Sequence, residues 1–455
     1  MDKLLKNVIY YGAGILGSKL VFFLIVPLYS FFLSKEELGQ YDLILISITL
    51  ITPIITIQVS EGVYRFLLQH KNNSLEKQKI ISSGFVSLIG GYFVFLVLAT
   101  IINSFIDYIY FYEVILLQFT YSLYIYVQQI VRGLQKQKLF AYTGIINTCL
   151  VVLFSISSLY FYQLGFKGIL LSLSAAQIIS TITTIFYSQK DFAIKLNLAD
   201  RQTINNMLSY AWPLLPNTIS WWLIDLGNRY IILFYLGFEA NGIYAVSARY
   251  AGIIALINSI LILNWQDYAI QKKGTPEEIN TLFSKIFNVF AVFQLSLLLF
   301  LTAISTEIIE LTTASEFHEA QSYLPILFLS TAFSSFCAFY GGMYLKEKKT
   351  KEIFLTTIFG AALNLIISIL LVDSIGLYAV AIGSVFGFFA TFIVRSQTFR
   401  LKINISELCF LLFAFVVVFF GIKTDSFLQK TIIATISFAI FVFWNLRSLK
   451  KNSLI

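Results

Sequence analysis

Charge is what this sequence has least of. Asp, Glu, Lys and Arg make up 12% of its 455 residues, about half the share that soluble domains carry. That is too little polar surface to cover a body in water, so a soluble globular fold is excluded. Histidine is nearly missing: there are two, His70 and His318, both at or beyond the ends of apolar runs. No H-x-x-x-H, GxxxxGK[ST], GxSxG or D-x-D motif occurs. These absences argue against a resident metal, a catalytic triad and ATP-driven transport by this chain alone. The three cysteines, Cys149, Cys337 and Cys409, sit inside apolar stretches. They read as small core side chains, not as a disulfide framework. Long loops are missing as well. The widest gaps, 190–206 and 306–320, leave no room for an appended soluble domain.

What is present is 58% hydrophobic sequence, in runs near twenty residues. At 1.5 Å per residue such a run crosses ~30 Å of hydrocarbon. A β-barrel would need alternating segments of ~10 residues instead. The sequence therefore predicts an all-α polytopic membrane protein of about fourteen spans. Their limits are 8–33, 41–69, 80–103, 109–131, 140–163, 168–189, 207–236, 241–270, 281–305, 321–345, 352–372, 375–398, 406–422 and 430–447. Lys3 and Lys6 precede the first run, as in a signal peptide, but the run is too long and no cleavage site closes it.

The basic residues support this map. With both termini inside, the outer loops hold only Lys35, Lys167, Lys423 and Lys430 of the 32 Lys and Arg residues. Lys19, Arg65, Arg229 and Arg249 fall within spans, and the remainder lie on inner segments. That asymmetry is the positive-inside pattern. It also explains the net charge of +8 without any nucleic-acid partner.

The stretch "FFLSKEELGQYDL" between spans one and two returns as "FYLGFEANGIYAV" between spans seven and eight. Phe31, Leu33, Glu36, Gly39 and Tyr41 match Phe234, Leu236, Glu239, Gly242 and Tyr244. The basic turns "GLQKQKL" and "YLKEKKT" form a second echo. Two six-helix lobes in the same orientation follow, because an even span count per repeat gives parallel repeats. The expected division is an N-lobe at 1–190, an amphipathic cytoplasmic linker at 191–206, a C-lobe at 207–402 and a C-terminal helix pair at 403–455.

Charges within spans are the sharpest functional signal. A central one costs roughly 2.5–3.5 kcal/mol on insertion scales, so it should face a cavity or a partner. Lys19, Glu61, Arg65, Asp225, Arg229 and Arg249 fall on spans one, two, seven and eight, the matching pairs of the two halves. Glu61–Arg65 and Asp225–Arg229 are spaced i, i+4, which fits intrahelical ion pairs. The balance is net positive, which favours a cationic cavity and an anionic substrate. Pro27, Pro53, Pro213, Pro216 and Pro325 interrupt spans and read as gates or as static kinks. Among the polar residues within spans, Gln58, Asn228 and Trp222 are the candidates for sugar contacts. Helix–helix bonding or core packing is the alternative for each.

The stretches "GSKLVFFLIVPLYSFFLSKEELGQYDL", "SYAWPLLPNTISWW", "GLQKQK" and "ALNLIISILLVDSIGLYAVAIGS" resemble the Wzx-type flippases. These are polysaccharide biosynthesis proteins of the multidrug/oligosaccharidyl-lipid/polysaccharide (MOP) exporter superfamily. The resemblance covers nearly the whole chain. It implies a MATE-like fold of two six-helix lobes with two extra C-terminal helices. It also implies a transporter, not an enzyme, that flips an undecaprenyl-diphosphate-linked oligosaccharide across the bacterial cytoplasmic membrane by alternating access. Lys19, Arg65, Arg229 and Arg249 would then engage the substrate. Glu61 or Asp225 would be the carboxylate for the H+ or Na+ coupling known in some relatives, and no other cofactor or metal is implied. Partners would be membrane lipids, a polysaccharide polymerase and glycosyltransferases. The rival readings are a small-molecule antiporter of the same superfamily, a membrane-embedded polymerase or glycosyltransferase, and a flippase for lipid II or a teichoic precursor.

Overall fold

The computed structural model describes residues 25–451 apart from 71–72, 189–191, 193, 217, 220–221, 223–226, 348 and 423–426. Lys19 and Asp225 therefore lie outside the described residues. Within them there is no strand. That suits hydrocarbon, where a helix satisfies its backbone groups within its own segment. In chain order the helices are α1 (Lys35–Thr56), α2 (Val59–Gln69), α3 (Ser74–Ile106), α4 (Phe111–Gly133), α5 (Gln137–Ile156) and α6 (Gly165–Ser188). Then come α7 (Arg201–Ala211), α8 (Asn228–Gln271), α9 (Pro276–Ala303), α10 (Ser305–Thr312), α11 (Leu324–Lys346), α12 (Thr350–Ile375), α13 (Leu377–Phe399), α14 (Ile405–Gly421) and α15 (Phe427–Lys451).

Eleven helices of the described residues are long and apolar enough to cross a membrane, and α14 is a shorter apolar one. They coincide with spans two to six and eight to fourteen. α8 also carries the end of span seven. Helix starts follow local chemistry. Ser34 and Glu37 exchange side-chain-to-backbone bonds at the head of α1, 3.0 and 3.2 Å, and Thr275 with Glu278 does the same for α9, followed by Pro276. Both are capping boxes that satisfy otherwise orphaned N–H groups.

Two compact units emerge: one runs from Tyr41 to Trp222, and the other joins Val26–Gln40 to the chain after Trp222. The division thus cuts through α1 between Gln40 and Tyr41. In the first unit α2 packs on α3, α4 and α7, and α6 packs on α4 and α5. Its core gathers Val59, Val63, Leu67, Ile81, Tyr126 and Met207. The described part of the linker belongs to this unit. Its backbone donates from Lys195 to Ser82 Oγ at 2.8 Å and from Asp200 to Ser83 Oγ at 3.0 Å. Asp200 also caps α7 and lies 3.2 Å from Lys79. These bonds hold its carboxyl down at about pKa 2, Thr203 foremost.

In the second unit α11 packs on α8, α9 and α13, and α14 and α15 lie on α9. Its core is aromatic. Phe287, Phe290, Phe336 and Phe339 interleave, and Trp265 stacks on Phe339 at 4.0 Å. Aromatic faces offset their partners this way because ring edges are positive and faces negative.

The two echoed elbows meet inside this second unit. A Cβ placed on Gly39 would overlap the Phe238 carbonyl oxygen and come within 2.9 Å of Gly242 N. One placed on Gly242 would overlap the Lys35 oxygen and come within 3.2 Å of Gly39 N. Lys35 and Phe238 stand at equivalent repeat positions, as do the glycines. The contact is therefore reciprocal, the property of a two-fold axis. Asn241 closes it by donating to Gly39 O at 2.9 Å. Next to it, Gly237 breaks α8 with φ 82°, a conformation that glycine adopts without strain.

Candidate functional site

Span two is not one helix. Pro53 lacks the N–H that would continue the ladder, and α1 ends three residues later, at Thr56. Gln58 N donates to Pro53 O at 3.1 Å and Ile57 N to Ile54 O at 3.3 Å. This crossed pair is a Schellman motif, which normally places glycine at its left-handed position. Here Ile57 occupies it at φ 46°, followed by Gln58 at φ 52°. A β-branched residue in that region is strained. The Gln58 side chain donates to Thr218 Oγ1 at 2.6 Å, bridging the break to the segment where span seven begins. Nearby, the Trp222 indole donates to Ile46 O at 3.0 Å, and Trp222 is buried.

The expected Glu61–Arg65 pair does not form. Glu61 accepts from Gln129 Nε2 at 2.6 Å, and Gln129 Oε1 in turn accepts from Arg132 Nη1 at 2.9 Å. Arg65 is exposed. The i, i+4 spacing brings the two residues to one face, but α4 supplies a half-buried amide, that of Gln129, which competes for the carboxylate. Arg132 lies 4.7 Å above the Tyr64 ring and 5.9 Å from that of Phe140. Its place among the inner-segment cations hid it, because α4 runs on to Gly133.

In the second unit Arg229 is buried to 9% exposure and lies 4.7 Å above the Tyr244 ring of the elbow. Arg249 is half-buried. Asn228 donates to Ser384 Oγ at 2.8 Å and accepts from Asn364 at 3.1 Å, and Ser368 donates to Asn364 at 3.2 Å. A second buried cluster joins Asn258, Gln294 and Ser335. Gln58, Asn228 and Trp222, the three candidates for sugar contacts, thus all hold protein partners. A sugar hydroxyl would have to exchange with those bonds.

Arg395 is a further buried cation that the sequence map files as an inner-segment residue. It is 3% exposed. It donates to Cys337 O at 2.7 Å, Ile353 O at 3.2 Å, Thr356 Oγ1 at 3.0 Å and Thr357 Oγ1 at 2.7 Å. With its fork filled in this way, it pins α11, α12 and α13 together. Among the described residues no group of three or more His, Cys, Asp or Glu could hold a metal ion. A groove of about 700 Å³ runs between α1, α3 and α4, lined by Ile51, Ile55, Leu98, Ile102 and Phe111. It suits hydrocarbon and not an ion or a sugar.

Comparison with known proteins places this geometry. The structure resembles that of the lipid II flippase MurJ in an inward closed conformation, with a TM-score of 0.72 at 14% identity, over 97% of this chain and 99% of that one. It also resembles an inward-facing multidrug resistance MATE family transporter of the MOP superfamily. There the TM-score is 0.61 at 14% identity, over 92% of this chain and 96% of that one. At such identities the fold alone is shared. An uncharacterized membrane protein of Methanocaldococcus jannaschii is 25% identical over 287 residues, 58% of this chain. The match spans 65% of that curated relative, under two thirds of its length. The family model for polysaccharide biosynthesis proteins matches residues 4–263, more than half of the chain. The protein is thus a multi-span membrane protein with the fold of MOP-superfamily transporters, and it belongs to the polysaccharide biosynthesis protein family.

Proposed function

We propose that this protein is a flippase for an undecaprenyl-diphosphate-linked oligosaccharide, moving it from the inner to the outer leaflet of the bacterial cytoplasmic membrane by alternating access. The observation that carries the reading is family membership over residues 4–263, in a chain whose fold is a transporter's along nearly its whole length. The intramembrane cations support an anionic substrate: Lys19, Arg65, Arg229 and Arg249 would attract its diphosphate. Both termini would lie in the cytoplasm. A polymerase and glycosyltransferases would act on the same glycan before and after it. Coupling to H+ or Na+ would use Glu61 or Asp225. A cation-exporting drug antiporter is less well supported, because the charges within spans are mostly positive.

The test is translocation in proteoliposomes of a fluorescent polyprenyl-diphosphate oligosaccharide, read by accessibility to a membrane-impermeant quencher. Faster translocation than in protein-free vesicles supports the reading. Its absence, with export of a cationic dye instead, would refute it. Loss of translocation in Lys19→Ala and Arg249→Ala, with the protein still in the membrane, would support the cationic path.

A further inference from the structure

Two arginines at the helix ends that the charge map places inside have opposite surroundings. Arg395 has four of its five donors engaged by carbonyls and hydroxyls of neighbouring helices. Arg132 does not. Among the described residues it donates one hydrogen bond, to Gln129, and its guanidinium carbon lies over the Tyr64 ring at 4.7 Å and over the Phe140 ring at 5.9 Å. Arg132, Gln129 and Glu61 are all described and none is fully buried, so ligand can reach them. A guanidinium has five N–H donors, and most of this one's outer edge is uncommitted.

The edge is also held still. Glu61 takes the amide nitrogen of Gln129. The amide oxygen must then face Arg132, because a carboxylate accepts only. Cation–π attraction to the two rings further restrains the guanidinium. The order of the three groups matters as well. A carboxylate paired directly with Arg132 would fill the fork that an anion needs. Here the amide stands between them, so the guanidinium is closer to any ligand at the open edge than the carboxylate is. Coulomb energy falls with distance, so the field at that edge stays positive.

We propose that Arg132 is a receptor for a phosphate group at the inner end of α4, with Gln129 and Glu61 as its positioning residues. The planar fork matches phosphate oxygens two at a time, which a lysine cannot do. The phosphate is either the diphosphate of a polyprenyl-linked substrate or the headgroup of an anionic lipid. Only the first of these sources rests on the flippase reading.

The experiment measures binding of farnesyl diphosphate to the purified full-length protein by native mass spectrometry. Inorganic pyrophosphate serves as one competitor, and nanodiscs of phosphatidylglycerol against phosphatidylcholine as the other. Arg132→Gln should weaken binding roughly ten- to a hundredfold, the loss of a charge-assisted hydrogen bond. Gln129→Leu leaves every charge in place and should still weaken it severalfold. Arg132→Lys keeps the charge and should not restore it. If Arg132→Gln does not fold, as judged by size-exclusion profile, the other two variants decide. Wild-type affinity in Arg132→Gln or Arg132→Lys would overturn the receptor, and wild-type affinity in Gln129→Leu would overturn the positioning role. Competition by pyrophosphate assigns the site to a diphosphate, and competition by phosphatidylglycerol alone assigns it to a headgroup. Binding that survives while translocation in proteoliposomes is absent from wild type would remove the flippase reading and leave the receptor standing.

Discussion

Replacing Gly242 by alanine tests the elbow contact directly. In a free helix the change stabilises, by up to about 1 kcal/mol, because alanine loses less backbone entropy. Here the added methyl overlaps the Lys35 carbonyl oxygen. Overpacking of that kind costs roughly 1–3 kcal/mol, and the obstacle is backbone that cannot rotate aside. The net expectation is destabilisation of about 0–2 kcal/mol. Gly252 provides a control in the same helix, since a Cβ there meets nothing within 4 Å. Gly252→Ala should stabilise the protein. Gly39→Ala should behave like Gly242→Ala, because it meets the equivalent carbonyl of the other repeat. The double variant should cost much less than the two singles combined: once the elbows have moved apart to admit one methyl, the second finds room. Thermal unfolding in detergent, followed by fluorescence-detected size exclusion, measures all four. Stabilisation by Gly242→Ala, or strict additivity in the double variant, would refute the reciprocal contact.

Three further outcomes follow from single sites. Ile57→Gly should relieve the left-handed strain at the Schellman turn and raise stability by about 1 kcal/mol, read in the same unfolding assay; a loss would mean that Ile57's side chain matters more than its backbone. Arg395→Ala should destabilise by about 2 kcal/mol or more, taking four intramembrane hydrogen bonds at an average of roughly 0.6 kcal/mol each. Arg395→Lys should recover only part of this, because an ammonium cannot reach all four acceptors on two neighbouring helices at once. The Asp200 carboxyl is depressed in the fold, to about 2 from 3.8. Its stabilisation is therefore complete above the unfolded value and is lost as pH falls toward the folded one. Peptic cleavage of the linker should accelerate through that window in wild type, and Asp200→Ala should already be cut quickly at its upper end.

The helices were legible because hydropathy and length are properties of single segments. The elbows were legible for a similar reason: Glu36 with Gly39 and Glu239 with Gly242 form a local pattern at one offset. That the glycines touch was not legible, because nothing in either stretch names its partner. Pro53 announced a disturbance in span two. The left-handed pair at Ile57 and Gln58 did not show, since neither residue type favours that conformation. The cations were read least well. Spacing offered Arg65 to Glu61, and the fold gave Glu61 to Gln129, 68 residues away. Arg132 and Arg395 sit so near helix ends that a charge count alone assigns them to loops. A short list of buried acceptors on neighbouring helices makes one of them a pin and leaves the other with an open edge.

The Arg395 pin also bears on how the chain is made. Its acceptors sit at Cys337, Ile353, Thr356 and Thr357, all earlier in the sequence than the arginine itself. A chain synthesised from its N-terminus has α11 and α12 in the bilayer before α13 emerges. The guanidinium then enters a membrane where its hydrogen-bond partners are already waiting, and it need not linger in lipid, where an unpartnered charge is costly. In the reverse order, the same four bonds would form only after the arginine had crossed the hydrocarbon alone. The position of this residue on the last helix of the group is therefore part of how the group assembles.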